Sequence, residues 1–192
     1  MPQTRVMLGL EDHELFPDDG QRHELIDGEH IVTPAPTTRH QRIVMRLGMA
    51  LVAFAESRRL AAVLIAPTDV ILSPHDVVQP DILVIAIDRL DIVASRVEGP
   101  PNLAVEVLSP SSRRTDEVLK RHAYERWGTG ELWVVDPEVD RVRVYRLEAE
   151  RSFGRARELS AEHDEALDTP LLPGFSMTLG DLFADPLLDA RG

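Results

Sequence analysis

The sequence of 192 residues contains no cysteine. This absence excludes disulfide bonds, catalytic thiolates and zinc sites built from cysteine, and it predicts a reducing, cytoplasmic location. No apolar run approaches the ~20 residues that a transmembrane helix needs, so we expect no membrane partner. Residues 1–5 are not followed by a long apolar segment, and we therefore expect no secretory signal.

Positive charge is also scarce, since 21 Lys and Arg stand against 33 Asp and Glu and give a net charge of −12. A protein that binds nucleic acid through its overall charge uses Lys and Arg to neutralise phosphates, so this balance disfavours that class. It leaves room for a local basic rim around an acidic pocket. Arginines recur in two segments: Arg39, Arg42 and Arg46, then Arg113, Arg114, Arg121 and Arg126. They could form such a rim or could be ordinary solvated residues on helix faces.

The remaining composition, 43% hydrophobic and 28% charged, is typical of a globular protein and predicts a single domain over residues 1–192. Apolar residues at three- and four-residue steps predict a long helix over 38–58, with Thr38 as its cap and Gln41 reaching back. Other helices are expected at 8–19, 113–127 and 179–184. Strands are expected at 62–66, 69–72, 82–87, 103–108, 131–136, 141–145 and 155–160.

Two short β-prone runs flank Asp27-Gly28, which predicts a β-hairpin over 23–32. Strands 82–87 and 103–108 carry apolar residues on both faces, as is typical of the centre of a sheet that is covered on two sides. We therefore predict an α/β fold with a mixed central sheet. Helix 38–58 is expected on one face of that sheet and helix 113–127 on the other.

Two carboxylates interrupt these apolar strands: Asp81 begins strand 82–87 and Glu106 lies inside strand 103–108. Burial of an acid is costly unless a positive group meets it. If the two strands are neighbours, the carboxylates could bind a hard divalent cation such as Mg²⁺ or Mn²⁺. Lys120 is the only lysine beside 20 arginines, which indicates a position that requires a compact charge rather than a guanidinium.

A resemblance appears in these residues. Pro80-Asp81, residues 106–108 and Lys120 resemble the PD-(D/E)XK pattern of the restriction-endonuclease-like nuclease superfamily. A longer ordered set is similar to the Uma family of putative restriction endonuclease domains, a bacterial family. The set comprises Glu24-Leu25-Ile26-Asp27-Gly28-Glu29, His40, Gln79-Pro80-Asp81, Glu106-Val107-Leu108-Ser109-Pro110-Ser111, Lys120, Tyr124 and Glu131-Leu132-Trp133-Val134-Val135-Asp136. It implies a nuclease-like core over about residues 10–147 and a C-terminal extension over about 148–192.

The resemblance implies a restriction-endonuclease-like fold with an N-terminal β-hairpin and a metal-dependent endonuclease that hydrolyses phosphodiester bonds of DNA. Asp81 and Glu106 would be the ligands of Mg²⁺ or Mn²⁺, and the backbone carbonyl of Val107 would be a third. Glu24 would be an outer acid that helps to hold the metal or a water. These four groups would form the metal side of the site.

Two further residues complete the implied catalytic set. His40 would contact a phosphate or donate a proton, and Lys120 would orient the attacking water and offset charge in the transition state. The sequence departs from the superfamily pattern at Leu108, where a lysine normally lies on the same strand face as Glu106. Lys120 must therefore substitute from the next helix.

Each of these residues also has an ordinary structural interpretation. Asp81 could cap a turn after the proline, and Glu106 could form an internal salt bridge with an arginine. Glu24 could be a solvated hairpin residue, and His40 could cover a helix end. Lys120 could be a chance lysine on a helix surface.

Other functions stay open from the sequence. The net charge, Leu108 and the lack of a DNA-reading motif favour a non-catalytic binding or regulatory module that retains the nuclease fold. A zinc hydrolase is disfavoured because no two histidines show H-x-x-x-H spacing. A homodimer is expected because cleavage of a duplex needs two cuts. Tyr124 and Trp127 are expected in the core.

Overall fold

The structure, a computed structural model, describes residues 6–110, 113 and 115–185. Ser111 and Arg114, which belong to the motif and to the second arginine segment, lie outside these residues. The helices are α1 (Leu10–His13), α2 (Thr38–Ala55), α3 (Arg121–Trp127) and α4 (Leu179–Phe183), with a π-helix at Thr115–Lys120 and 3₁₀ helices at Ile87–Ile92 and Ala161–His163. None of the described helices is long and apolar enough to cross a bilayer.

Most strands coincide with apolar runs that are separated by turn residues. In chain order they are β1 (Arg22–Ile26), β2 (Glu29–Thr33), β3 (Ala61–Ile65), β4 (Val70–Ser73), β5 (Asp76–Val78), β6 (Ile82–Ala86), β7 (Val97–Glu98), β8 (Leu103–Val107), β9 (Glu131–Asp136), β10 (Arg141–Arg146), β11 (Arg157–Ser160), β12 (Ala166–Leu167) and β13 (Met177–Thr178).

The predicted hairpin is formed by β1 and β2, which pair in antiparallel register across a two-residue turn. Asp27 and Gly28 have φ values of 50° and 69°. Both therefore adopt the left-handed conformation of a type I′ turn, which Asp and Gly tolerate best. In the predicted helix over 8–19, only Leu10–His13 is α-helical. Its Gly9 cap lies just before it, and Pro17 ends any continuation.

Within the described residues, most strands belong to two mixed sheets. The larger sheet has the order β11-β10-β9-β8-β6-β3, and β8 and β9 are its parallel pair. The smaller sheet has the order β2-β1-β5-β4-β7, with β4 and β7 parallel. The sequence predicted one central sheet, which is the larger one. The smaller sheet was missed because β5 and β7 are too short to show a periodic pattern.

Helix α2 covers one face of the larger sheet, as predicted. Its Ile43, Leu47 and Leu51 pack in one buried cluster with Val84 of β6 and Val105 of β8. Full burial of each of these side chains contributes about 1.5–3 kcal/mol. This packing therefore holds the N-terminal turn of α2 in a fixed position above the sheet.

The start of α2 differs from the prediction by one residue. Thr37, not Thr38, is the cap, and its side chain accepts a hydrogen bond from the backbone N–H of His40 at 3.2 Å. Either of the two adjacent threonines could serve as a cap by its residue type. Thr37 is the cap because the helical backbone begins at Thr38. The helix ends at Ala55 rather than 58, and Arg59 then turns the chain with a φ of 53°.

Helix α3 and the smaller sheet cover the opposite face of the larger sheet. Tyr124 of α3 and Val70 of β4 share a buried cluster with Leu83, Ala104 and Leu132 of the larger sheet. The predicted helix over 113–127 begins as the π-helix Thr115–Lys120 and ends at Gly128, whose φ of 88° forms a left-handed cap.

Trp127 was predicted to lie in the core, but it is 36% exposed. Its indole N–H donates to the carboxylate of Asp76 at 3.0 Å, which holds the ring at the surface. The C-terminal segment joins the cluster beneath α2 through Leu172, Phe175 and Leu182. The division into a core and an extension within one domain stays a prediction.

Candidate active site

Four buried acids meet where the two sheets and the segment before α3 converge. We call Glu24, Asp81, Glu106 and Asp116 the acid cluster; each is at most 3% exposed. Glu24 lies on β1, Asp81 directly precedes β6, Glu106 lies on β8 and Asp116 lies on the π-helix. Asp81 and Glu106 are close because β6 and β8 are paired neighbours, which was the condition for a shared metal site in the sequence analysis.

Alternation along β8 explains where Glu106 points. Leu103, Val105 and Val107 face α2, whereas Ala104 and Leu108 belong to the opposite cluster. Successive side chains in a strand point to opposite faces, so Glu106 projects towards the π-helix and α3. Leu108 lies on the same face and is only 2% exposed, which leaves the strand without a cation beside Glu106.

Lys120 supplies that cation from the π-helix. Its Nζ lies 2.8 Å from Oε1 of Glu24, 3.2 Å from Oε2 of Glu106 and 3.4 Å from Oδ1 of Asp116. Burial lowers the pKa of Lys120, but the surrounding carboxylates outweigh this effect and hold the pKa well above its usual value. The ammonium therefore stays charged and acts as the electrostatic centre of the acid cluster.

Asp81 is held by three donors on its two oxygens. Arg22 donates to Oδ1 at 2.7 Å, while Nε2 of His40 at 3.0 Å and the backbone N–H of Val107 at 2.8 Å both meet Oδ2. Burial raises the pKa of Asp81, but His40, Arg22 and the Val107 amide outweigh it and lower the pKa to about 2. Asp81 is therefore a carboxylate at neutral pH.

Glu106 is in a different electrostatic position. Burial raises its pKa; Lys120 opposes this effect, but Asp116, Asp81 and Glu24 add to it, and the net result is a pKa well above the usual value. The hydroxyl of Tyr124 donates to Oε1 of Glu106 at 2.7 Å. Burial also raises the pKa of Tyr124, so this hydroxyl keeps its proton.

Glu24 is anchored by the backbone. The N–H of Gln79 donates to its Oε1 at 2.7 Å, and the hydroxyl of Thr33 donates to its Oε2 at 3.4 Å. Glu24 is 0% exposed, so it is not a solvated hairpin residue. Because Gln79 lies two residues before Asp81, this contact also ties the hairpin to the start of β6.

His40 lies in the first turn of α2 and is 4% exposed. Since Asp81 is a carboxylate, Nε2 of His40 donates the hydrogen bond between them. The other ring nitrogen, Nδ1, has no hydrogen-bond partner among the described residues. A buried polar atom without a partner is uncommon, so Nδ1 is the atom of this ring that is left for a ligand.

The predicted catalytic residues thus lie together, whereas three more members of the site were missed. Arg22 could have been found because it lies two residues before Glu24 and shares its strand face. Asp116 and Tyr124 precede and follow Lys120 by four residues, the spacing of one helix face. Tyr124 is also buried in the core, as predicted, but its hydroxyl reaches the site.

Three members of the acid cluster, Asp81, Glu106 and Asp116, border a small cavity of about 20 Å³ that His40 and Val107 also line. Its volume corresponds to about one water or one ion. A much larger cleft of about 460 Å³ shares Arg22 and Thr33 with this cavity. The acids are therefore buried but lie directly behind an open surface.

The donor chemistry of the acid cluster fits a hard divalent cation, because carboxylate oxygens are the kind of ligand that Mg²⁺ prefers. Among the described residues, however, no three acidic or histidine side chains are arranged as a metal site. The two oxygens of Asp81 already accept bonds from three donors. A carboxylate has about four acceptor sites, so a metal at Asp81 would share its oxygens with these donors or displace Arg22.

The sequence and the fold both resemble those of known proteins. A family described as "Uma2: Putative restriction endonuclease" matches residues 10–180. A putative nuclease belonging to DUF820 from Anabaena variabilis has a similar fold, with a TM-score of 0.81 and 22% sequence identity, over 92% of this chain and 97% of that one. No curated protein matches the sequence. The structural likeness supports the restriction-endonuclease-like fold expected from the sequence.

Proposed function

We propose that this chain, which belongs to the Uma2 family of putative restriction endonucleases, is an endonuclease. It hydrolyses phosphodiester bonds of DNA with Mg²⁺ or Mn²⁺. The acid cluster around the buried Lys120 carries this proposal. Buried ion pairs are often no more stabilising than apolar residues of similar volume, so stability alone does not account for four buried acids. A function that requires concentrated negative charge does.

Asp81 and Glu106 are the residues proposed to hold the metal, with the backbone carbonyl of Val107 as a third ligand and Glu24 as the outer acid. Their carboxylate oxygens match the preference of Mg²⁺ and Mn²⁺ for hard ligands. A bound ion of this kind polarises a phosphoryl oxygen and lowers the pKa of a coordinated water. The Arg22 guanidinium, once released from Asp81, becomes available to a phosphate oxygen.

Lys120 has the role of a fixed positive charge rather than a base. Its raised pKa keeps it protonated, so it can donate hydrogen bonds but cannot accept the proton of a water. Placed between Glu24 and Glu106, the ammonium can orient a water in the small cavity and offset charge that develops on the phosphoryl group.

His40 is proposed to contact the phosphate through Nδ1. In the neutral ring this nitrogen is an acceptor, and on protonation it becomes a donor that can bind a phosphate oxygen. The bond from Nε2 to Asp81 holds the ring in this orientation. The pair can therefore also deliver a proton to the leaving oxygen.

A cleavage assay tests the proposal. Purified protein is incubated with single-stranded, duplex and branched DNA, and with RNA, in Mg²⁺ or Mn²⁺, beside Asp81→Ala and Glu106→Ala. We expect metal-dependent cleavage of DNA by the wild type and its loss in both variants. Asp136→Asn is the control, because this acid pairs with Arg113 outside the acid cluster. Equal activity in the wild type and the two site variants rejects the assignment.

A non-catalytic module with the same fold is the second candidate, and the occupied oxygens of Asp81 favour it. Calorimetric titration separates the two functions. Mn²⁺ binding that is lost in Glu106→Ala supports the endonuclease, whereas no detectable binding supports the module. A homodimer that cuts both strands also stays a prediction, which light scattering can check.

A further inference from the structure

A cleft of about 460 Å³ opens beside the small cavity of the acid cluster. Its walls come from His13, from most of residues 16–23, from the loop after β2 and from Gln41 at the start of α2, and residues 66, 67 and 79 complete them. Arg22, Thr33, Pro34 and Pro36 line both the cleft and the small cavity. A molecule in the cleft therefore lies directly beside the small cavity, where the phosphate is proposed to react.

The chemistry of this cleft is unlike that of a phosphate-binding groove. Arg22 is the only lysine or arginine among the described residues that line it, and Asp18 also faces it. The rest of the lining is mainly rings, proline faces and amides, such as Phe16, Pro34 and Gln41. Phosphate backbones are bound mainly through Lys and Arg, so this surface does not fit a run of phosphates.

The same lining fits a nucleobase. Phe16 belongs to a group of rings and stacks on His30 with a centroid distance of 3.9 Å. Rings of this kind stack on bases without regard to sequence. The side chain of Gln41 makes no hydrogen bond with another described residue and is exposed on the first turn of α2. An amide offers one acceptor and two donors, which match the edge of a base.

The volume limits what can enter. Pockets of about 300–1,000 Å³ suit one compact ligand, and the cleft, at about 460 Å³, lies near the lower end of this range. It has room for a single nucleotide rather than for stacked base pairs. A base that enters it must therefore be unpaired, and release from a duplex costs a few kcal/mol that a single strand does not incur.

We infer that the cleft is a nucleoside subsite that takes one unpaired nucleotide next to the reacting phosphate. This inference rests on the proposed endonuclease function and adds a substrate class to it: single-stranded DNA, or DNA with an unpaired nucleotide at the cleavage position. Phe16 contacts the base ring, Gln41 contacts its edge, and Arg22 binds the phosphate between the cleft and the acid cluster.

Binding in the presence of EDTA tests the subsite without cleavage. The full-length protein is titrated with three fluorescent DNAs: a short oligodeoxyadenylate, its duplex, and a strand of the same length that carries abasic tetrahydrofuran units. The abasic strand keeps the phosphate charge but has no bases. We expect the oligodeoxyadenylate to bind about tenfold more tightly than either competitor, a difference that needs one base to stack on Phe16 and to be held at its edge by Gln41.

Variants locate the effect. Phe16→Ala and Gln41→Ala should each remove most of the difference between the oligodeoxyadenylate and the abasic strand. Leu15→Ala is the matched control, because this neighbour of Phe16 is 83% exposed and does not line the cleft. Gln41→Ala changes only an exposed side chain, so it keeps the test valid if Phe16→Ala fails to fold.

Equal affinity for the normal and abasic strands overturns the subsite, as does a preference that survives in Gln41→Ala. These outcomes are separate from the fate of the endonuclease. Metal-dependent cleavage with equal binding of both strands leaves the nuclease and rejects the subsite. Base-dependent binding without any cleavage rejects the nuclease and shows that the cleft binds a base in a non-catalytic protein.

Discussion

Replacement of Lys120 by methionine is the perturbation that the structure describes most fully. Methionine preserves an unbranched chain of similar length but removes the ammonium, which contacts three carboxylates within 3.4 Å. The side chain is only 3% exposed, so water cannot replace the lost charge. The variant leaves Glu24, Glu106 and Asp116 facing one another without that cation.

Breaking a buried ion pair by removing one partner costs about 3–5 kcal/mol. For a chain of 192 residues, each kcal/mol corresponds to about 2–4 °C in melting temperature, so Lys120→Met should melt about 6–20 °C lower. Without the ammonium, the effect that opposes the raised pKa of Glu106 is lost, so this pKa lies still further above its unfolded value. A raised acid pKa contributes stability that is lost as pH rises, so the defect should be larger at pH 8 than at pH 5.

Chemical denaturation of Lys120→Met at both pH values measures the effect. Arg141→Met is the control, because Arg141 is 46% exposed where it pairs with Glu158, and its loss should cost less than about 1 kcal/mol. Adding Glu106→Gln to Lys120→Met should recover part of the stability, since one repelling carboxylate becomes a neutral amide. A loss below about 1 kcal/mol in Lys120→Met, or no pH dependence, refutes the electrostatic account of the cluster.

Two further predictions concern parts of the fold that position the site. Asp81, with a pKa lowered to about 2, contributes about 2 kcal/mol to the free energy of unfolding above pH 4, and this contribution is lost as pH falls towards 2. In urea titrations, the stability of Asp81→Asn should therefore fall less steeply with decreasing pH than that of the wild type. An equal pH dependence of the two proteins contradicts the lowered pKa. Thr37→Ala removes the cap of α2 and should cost about 1 kcal/mol by thermal melting, whereas Thr38→Ala, one residue inside the helix, should cost less if Thr37 is the cap.

Local signals in the sequence predicted the elements well. Asp27-Gly28 specified the hairpin because few other residue pairs accept two positive φ values. The apolar spacing in α2 specified a helix and its buried face. The cap was placed one residue late, because Thr37 and Thr38 satisfy the same short-range rule.

The candidate site was predicted only in part, because its contacts connect distant segments. Asp81 and Glu106 could be placed together through the pairing of two apolar strands. The bond between Arg22 and Asp81 joins residues 59 positions apart, and its existence depends on how the hairpin packs on the larger sheet. Asp116 and Tyr124 were within reach of a helical pattern around Lys120, but Asp116 was not singled out and Tyr124 was expected only in the core.

The most direct test of the proposed endonuclease compares single-turnover cleavage of DNA by the wild type and Glu106→Gln in Mn²⁺. This change keeps the shape of the side chain and removes its ionisable oxygen, and thermal melting confirms that the variant is folded. The proposed site predicts a rate at least about 100-fold lower for Glu106→Gln, the size of effect expected when a group that stabilises the transition state is lost. Equal rates for the two folded proteins contradict a reaction centred on the acid cluster.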